Sequence, residues 1–268
     1  MAVPVLMYHH VSPRPGLVTV SPETFRDQME RLAAAGYETL DADGCLDILE
    51  GRRPEPRRAV LITFDDGFLD NYVYAYPLLR ELGLRATVFV VTGRIGDGPA
   101  RNHAGGHGRL PETPSHRDCK TAIAQDRADE VMLRWSEIEA MAAAGTMEVW
   151  SHSHRHIRWD REHPDPATRL DALRADLEQS RSTLERRLGR AGRHLCWPWG
   201  YYEPGYRRVA QELGFDALYT TERGTNRPGD DIGRIRRLVT KDRTGGWLNQ
   251  RLWIYSRPWA ARLYDRMR

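Results

Sequence analysis

Hydrophobic residues are distributed along this chain in two patterns. Short unbroken apolar runs bounded by turn residues occur at Val3 to Tyr8, Ala59 to Phe64, Ala86 to Val91, Met147 to Trp150, His194 to Trp197 and Ala217 to Thr220. Such runs predict buried strands of a parallel sheet. Between them, apolar residues return every three or four positions, which predicts amphipathic helices. Ser21-Pro22-Glu23 starts one of these with a capping serine, a proline at the first helical position and an acid in the first turn. Phe25, Met29, Leu32 and Ala33 then share a face, and Gly36 ends the helix. Further helices are predicted from Gly44 to Leu49, Phe68 to Leu82, Ser136 to Gly145, Pro166 to Leu188 and Pro204 to Leu213. Pro77 predicts a kink or break within the second of these.

Strand, helix, strand is the order of a βαβ unit, so the expected class is α/β with a parallel sheet. At 268 residues the chain can bury one large core, and α/β barrels commonly occupy this length as a single domain. The periodic pattern dissolves between Gly93 and Arg127 into Gly, Pro, His, Arg and Asp, which predicts an insertion loop, 93–127, acting as a lid over a groove. His103, His107 and His116 lie in or beside it. They are read as part of a solvated loop rather than as a second metal cluster, because no strand end orients them.

A basic aromatic tail, 241–268, follows the expected barrel domain, 1–240. In it, from Trp247 onward, Trp247, Leu248, Leu252, Trp253, Tyr255, Trp259, Leu263 and Tyr264 alternate with Arg251, Arg257, Arg262, Arg266 and Arg268, against the single acid Asp265. Interfacial tryptophan and tyrosine flanked by arginine suit a membrane-surface helix. The same residues would equally serve to pack on the barrel or to form a dimer interface. Pro258 predicts two short helices.

Composition narrows the function classes. Forty Lys and Arg against thirty-seven Asp and Glu leave a formal charge of only +3, which does not point to nucleic acid. Cys45, Cys119 and Cys196 are odd in number and widely spaced, so neither a disulfide framework nor a cysteine-zinc site is expected. Met1 to His9 has no basic leader and too short an apolar run for a signal peptide or a membrane span. Taken as a full gene product, the chain is expected in the cytoplasm, at the inner membrane surface if the tail docks there.

The candidate chemistry sits where strands end. Ala59 to Phe64 runs directly into Asp65-Asp66-Gly67, and the carboxyl ends of parallel strands are where such sheets build sites. Two adjacent carboxylates repel and require a metal, a basic group or a shared proton; they could also simply cap the helix expected near Phe68. The run Met147 to Trp150 leads into Ser151-His152-Ser153-His154-Arg155-His156. Two histidines four apart can reach one zinc-like ion, whereas in isolation the cluster would be a polar loop. Paired with Asp65-Asp66 it points to a metal site.

Thr63-Phe64-Asp65-Asp66-Gly67, Ser151 to His156 and Trp197-Pro198-Trp199-Gly200 resemble, in order and spacing, the first three motifs of the polysaccharide deacetylases, carbohydrate esterase family 4. Pro4-Val5-Leu6-Met7-Tyr8-His9-His10-Val11 resembles more narrowly the branch containing the poly-N-acetylglucosamine deacetylases. The resemblance covers Val3 to Val239 and implies a distorted, partly open (β/α) barrel, with Arg234 to Val239 as its last strand. It implies Asp66, His152 and His156 as ligands of a divalent ion, most simply zinc, with Asp65 as general base. His154, between the two expected ligands, is an alternative to either. Pro198, Trp199, Gly200 and Tyr201 become the wall of the sugar groove, with a backbone N–H near Gly200-Tyr201 facing the oxyanion.

Two departures from the family pattern stand out. No histidine follows His194, so the late leucine-x-histidine motif is missing. By resemblance to the narrower branch the general acid becomes His9, with His10 second. Cys196 occupies the place of the usual arginine of motif three, so orientation of the base must come from elsewhere or be absent. The expected function is metal-dependent N-deacetylation of an N-acetylated amino sugar, in a glycan or a lipid-linked glycan. A glycan-binding scaffold without turnover, or an amidase or deformylase acting on a non-polymeric substrate, are the competing readings.

Overall fold

The apolar runs form one curled sheet in the computed structural model, which describes residues 1–267. Its strands are β1 (Val5–Tyr8), β4 (Glu38–Leu40), β5 (Ala59–Phe64), β6 (Ala86–Val90), β7 (Met147–Ser151), β8 (His194–Cys196), β9 (Ala217–Tyr219) and β10 (Leu238–Val239). A separate pair, β2 (His10–Val11) and β3 (Thr19–Val20), lies beyond β1. Among the described residues the large sheet runs β10-β1-β5-β6-β7-β8-β9, with β4 on the first half of β5, and every ladder is parallel. A bridge from Tyr219 to Ile235 brings the segment before β10 back toward β9. The result is a distorted (β/α) barrel flanked by helices.

Register decides where the chemistry goes. Tyr8 lies opposite Phe64, Phe64 opposite Val88, Val90 opposite Ser151 and Ser151 opposite Leu195. The residues that follow, His9, Asp65, Val91, His152 and Cys196, therefore share one rim. Strand residues alternate in direction: Leu6, Tyr8, Ile62 and Phe64 join the outer core, whereas Val5, Leu61, Phe89 and Ile235 fill the interior.

The helices in chain order are α1 (Pro22–Ala34), α2 (Ala42–Leu49), α3 (Tyr76–Glu81), α4 (His116–Ala124), α5 (Trp135–Ala143), α6 (Trp159–Glu162), α7 (Pro166–Leu188), α8 (Pro204–Glu212), α9 (Gly245–Tyr255) and α10 (Pro258–Arg266). Ser21 caps α1 by accepting from the Thr24 amide, and Phe25, Met29 and Leu32 are fully buried under it. Burial of side chains of this size stabilises by about 1.5–3 kcal/mol each. α2 packs Cys45, Leu46 and Leu49 against Val3, Val5 and Ala59, closing the amino-terminal end of the strands.

Three expectations change. The helix predicted from Phe68 to Leu82 is instead a π-helical turn, Asn71–Ala75, followed by the short α3. Pro77 has no N–H to return to Val73, and buried Asn71 donates to the His9 carbonyl at 2.8 Å, so the local hydrogen bonding is rearranged. The patternless stretch 93–127 contains the whole of α4, capped by Ser115, whose side chain accepts from the Asp118 amide. Ser115 followed three residues later by Asp118 was the available signal. The insertion is also anchored. Arg101 makes a bidentate pair with fully buried Glu137 at 2.7 and 2.8 Å and donates to the Asp129 and Met132 carbonyls. Finally, the strand expected from Arg234 shrinks to Leu238–Val239, preceded by the single bridge at Ile235.

The tail forms two helices broken before Pro258. Leu248, Leu252, Ile254, Tyr255 and Ala261 enter the same core as α1 and β1, while Trp253, Trp259, Leu263 and Met267 stay exposed. Arg268 lies outside the described residues. No helix among those described is long and apolar enough to cross a membrane.

Candidate functional site

Asp65 and Asp66 follow β5 and are both buried. Asp66 takes a left-handed backbone, φ 72°, and Gly67 follows at φ 82°, where an added Cβ would meet Val90 at 2.9 Å. Glycine is required at that position because the turn passes directly over β6. Of the five described non-glycine residues with positive φ, four are at this rim: Asp66, Ser153, His156 and Trp199. Such conformations cost of order 1–3 kcal/mol each and persist only where the surroundings enforce them.

What enforces the histidine turn is visible. Ser153 Oγ accepts from the His156 amide at 3.0 Å, and the Ser153 amide donates to Ser151 Oγ at 3.1 Å. Asp176, buried on α7, accepts from the Arg155 amide at 2.9 Å and the His154 amide at 3.4 Å. Sequence reasoning passed over Asp176 because it reads as one more acid on a helix otherwise charged outward. Asp176→Ala is expected to leave those amides without an acceptor and to weaken metal binding by roughly 10–100-fold. Titration of zinc into the apo variant, read against the wild-type protein, measures this.

The turn brings His152 and His156 onto Asp66. Their Nε2 atoms lie 3.5 and 3.3 Å from Asp66 Oδ1. That oxygen is buried and, among the described residues, has no hydrogen-bond partner. His152 Nδ1 donates to the Cys196 carbonyl at 2.8 Å, which fixes the ring and leaves the Nε2 lone pair facing Asp66. Burial pushes the His152 imidazole down and brings His156 to about 3, so both rings are neutral, the form that binds metal. Asp66, His152 and His156 thus present three ligand atoms within 4.8 Å of one another. An orphaned carboxylate oxygen facing two neutral imidazoles is a donor set that fits a zinc-like ion. The ring of His154 turns elsewhere, with Nδ1 2.9 Å from Thr92 Oγ1.

Asp65, His152 and Cys196 also converge, but a cation already sits among them. Arg237, fully buried, pairs with Asp65 through Nη1 to Oδ1 at 2.6 Å and Nη2 to Oδ2 at 2.8 Å. It also donates to Thr63 Oγ1, the Thr220 carbonyl and Cys196 Sγ, the last at 3.0 Å. A metal there would face the guanidinium, and burial keeps the Cys196 thiol protonated by raising it well above its ordinary value. Burial alone would raise the Asp65 carboxyl too, but the charge and hydrogen bonds of Arg237 outweigh it and hold the group well below the usual carboxylate range. The orientation of Asp65, left open by Cys196 in motif three, therefore comes from Arg237. The readable signal was alternation: in Ile235-Arg236-Arg237-Leu238, Arg237 shares the inward face of Ile235.

His9 Nε2 lies 4.0 Å from Asp65 Oδ2 and is partly exposed. His10 is withdrawn from the rim: its Nδ1 is 2.5 Å from Asp70, its Nε2 3.1 Å from His116 Nδ1, and its ring stacks on Phe68. His103 sits edge-on to Tyr72 and Tyr76. On the other side, Pro198, Trp199 and Gly200 form a tight turn. Trp199 is 57 % exposed, with its ring 5.5 Å from that of His156 and under Lys120 of α4 at 5.5 Å. Gly200 has φ 65°, and a Cβ there would collide with Thr221 at 2.1 Å. Tyr201 stacks under Arg158 at 3.9 Å. The Gly200 and Tyr201 amides donate to Trp197 and Pro198 within the turn, so a substrate oxygen meeting either would have to share the donor.

The sequence model of the polysaccharide deacetylase family matches residues 52–218. YxkH of Bacillus subtilis (strain 168) is 26 % identical over 223 residues, 83 % of this chain and 65 % of that protein. The poly-beta-1,6-N-acetyl-D-glucosamine N-deacetylase of Escherichia coli (strain K12) is 23 % identical over 216 residues, 77 % of this chain and 31 % of that protein. The chain therefore spans less than two thirds of the length of these relatives. The structure of IcaB from Ammonifex degensii shares the fold, with a TM-score of 0.72 at 24 % identity over 94 % of this chain and 97 % of the other.

Proposed function

The chain belongs to the polysaccharide deacetylase family, and from that premise we propose that it is a metal-dependent hydrolase removing N-acetyl groups from an N-acetylated amino sugar. The observation that carries this reading is the unpartnered, buried Asp66 Oδ1 between His152 Nε2 and His156 Nε2. These three residues would hold the ion. When bound, a zinc-like ion supplies polarisation of the acetamide carbonyl and acidification of water.

The chain's own residues do the rest. Asp65, beside the ligands and engaged by Arg237 at both oxygens, accepts a proton from the attacking water on a remaining lone pair. Arg237 keeps the carboxylate ionised and aimed. His9, 4.0 Å from Asp65 Oδ2, donates a proton to the departing amine, so that water and amide become acetate and a free amino sugar. Trp199 offers its exposed face to a sugar ring, with Pro198, Gly200 and Tyr201 as the adjoining wall.

The finer reading is a lipid-linked substrate met at a membrane surface. Its support is the exposed set Trp253, Trp259 and Leu263 on the last two helices and Met267 just after them, with Arg257, Arg262 and Arg266 around it.

The test combines metal content with acetate release from N-acetylated sugars presented free, polymeric and lipid-linked. Wild type is expected to bind about one ion and release acetate, and Asp66→Ala to lose both. Full metal binding in Asp66→Ala would sink the ligand assignment. Metal without release from any sugar would favour the binding scaffold or a non-sugar amide.

A further inference from the structure

On the outer side of the sheet, where Leu6 and Leu238 face, a cavity of about 560 Å³ lies between β10, α9 and α10. Leu6, Leu238, Trp247 and Leu248 give it apolar walls, and Arg223, Lys241, Arg243 and Arg251 line it with cations. Among the described residues no acid lines it. Arg223 is neutralised by Asp265 at 3.0 Å, which leaves three cations facing one apolar cavity.

Arg251 makes this more than a solvated basic face. Its guanidinium stacks on Trp247 at 5.3 Å and Tyr264 at 4.6 Å. Its Nη1 is buried and has no hydrogen-bond acceptor among the described residues. A buried charged donor without an acceptor is costly; the side chains lining the cavity offer cations, hydroxyls and hydrocarbon, and the neighbouring carboxylate, Asp265, is engaged by Arg223 and the Tyr255 hydroxyl. The complement is an anion that enters from outside. A phosphate ester brings up to two charges and three acceptor oxygens and matches a guanidinium edge with Lys241 and Arg243 closing from the loop after β10. The apolar walls suit a hydrocarbon chain attached to that phosphate, and α10, which lends Tyr264 to the lining, also carries the exposed Trp259 and Leu263.

We propose that this cavity is a binding site for an amphiphilic phosphate ester, separate from the metal centre. It deepens the membrane-surface reading of the last two helices and rests on that reading for where the ligand comes from. The chemistry is shared by a membrane lipid headgroup and a phosphate-linked lipid carrier.

The probe is a short-chain phosphatidic acid below its micellar concentration, followed by calorimetry and by the fluorescence of Trp247 in the full-length protein. Phosphatidic acid is expected to bind at least tenfold more tightly than inorganic phosphate or short-chain phosphatidylcholine. Lys241→Gln with Arg243→Gln, both exposed and neither one of the proposed metal ligands, should weaken it roughly tenfold or more. Arg251→Gln should do the same where it folds. Equal binding by the double variant and wild type would overturn the proposal, as would inorganic phosphate binding as tightly as the lipid. Binding is read without turnover, so an inactive protein that still takes phosphatidic acid supports the cavity while refuting the deacetylase reading. Failure to sediment with phosphatidic acid vesicles, with the soluble lipid still bound, refutes membrane docking and retains the site.

Discussion

Asp65→Asn is expected to keep its metal and to lose acetate release by roughly 10²–10⁴-fold, the range removed with a general base. Asn preserves the shape of Asp65 and can still accept from one Arg237 nitrogen, so Asp66, His152 and His156 stay where they are. What it cannot do is take a proton. The amide also leaves the fully buried Arg237 without its counter-charge, so folding must be followed alongside the rate. Metal content near wild type, an unchanged circular dichroism spectrum and a collapsed kcat together identify the loss as chemical. A variant that binds metal and turns over at the wild-type rate would remove Asp65 from the mechanism.

Arg237→Met should be the most destabilising single change at the site. It leaves Asp65, 2 % exposed, as a buried carboxylate without its bidentate partner, and breaking a buried pair from one side costs about 3–5 kcal/mol. For a domain of this size that corresponds to a fall in Tm of roughly 6–20 °C. The double variant Asp65→Asn with Arg237→Met removes both charges, so its loss should be well short of the sum of the two single losses. Simple additivity would mean that the pair seen at 2.6 and 2.8 Å is not energetically coupled.

Arg237 also marks the limit of sequence reasoning at this site. Cys196 in motif three correctly signalled that the orienting cation was missing from its usual place. Alternation could turn Arg237 inward, but it could not say that it meets Asp65, or Cys196 forty-one residues before it, because the pairing depends on the β9-to-Ile235 bridge and on β10 lying beside β1. Asp176 was hidden for a similar reason. Its function is to receive two backbone amides of the histidine turn, a relation between α7 and the end of β7 that no periodicity carries. The helix in the insertion was missed differently, since its cap at Ser115 was readable but its apolar residues are too few to stand out from the loop.

The sequence by itself determined six buried strands, most of the longer helices, the parallel α/β class and the positions of the acid and histidine motifs, but not the short β2, β3 and β4. These follow from periods of two and 3.6 residues and from capping chemistry, all of which act within a few neighbours. The tertiary structure decided which acids and imidazoles meet. It put Asp66 Oδ1 between His152 and His156, gave Asp65 to Arg237, withdrew His10 to Asp70 and His116, and folded the basic aromatic tail against α1 so that a cationic cavity opened beneath it. The physical reason is that charge, burial and hydrogen bonding at a rim are set by strand register and crossover order, which join residues far apart in the chain.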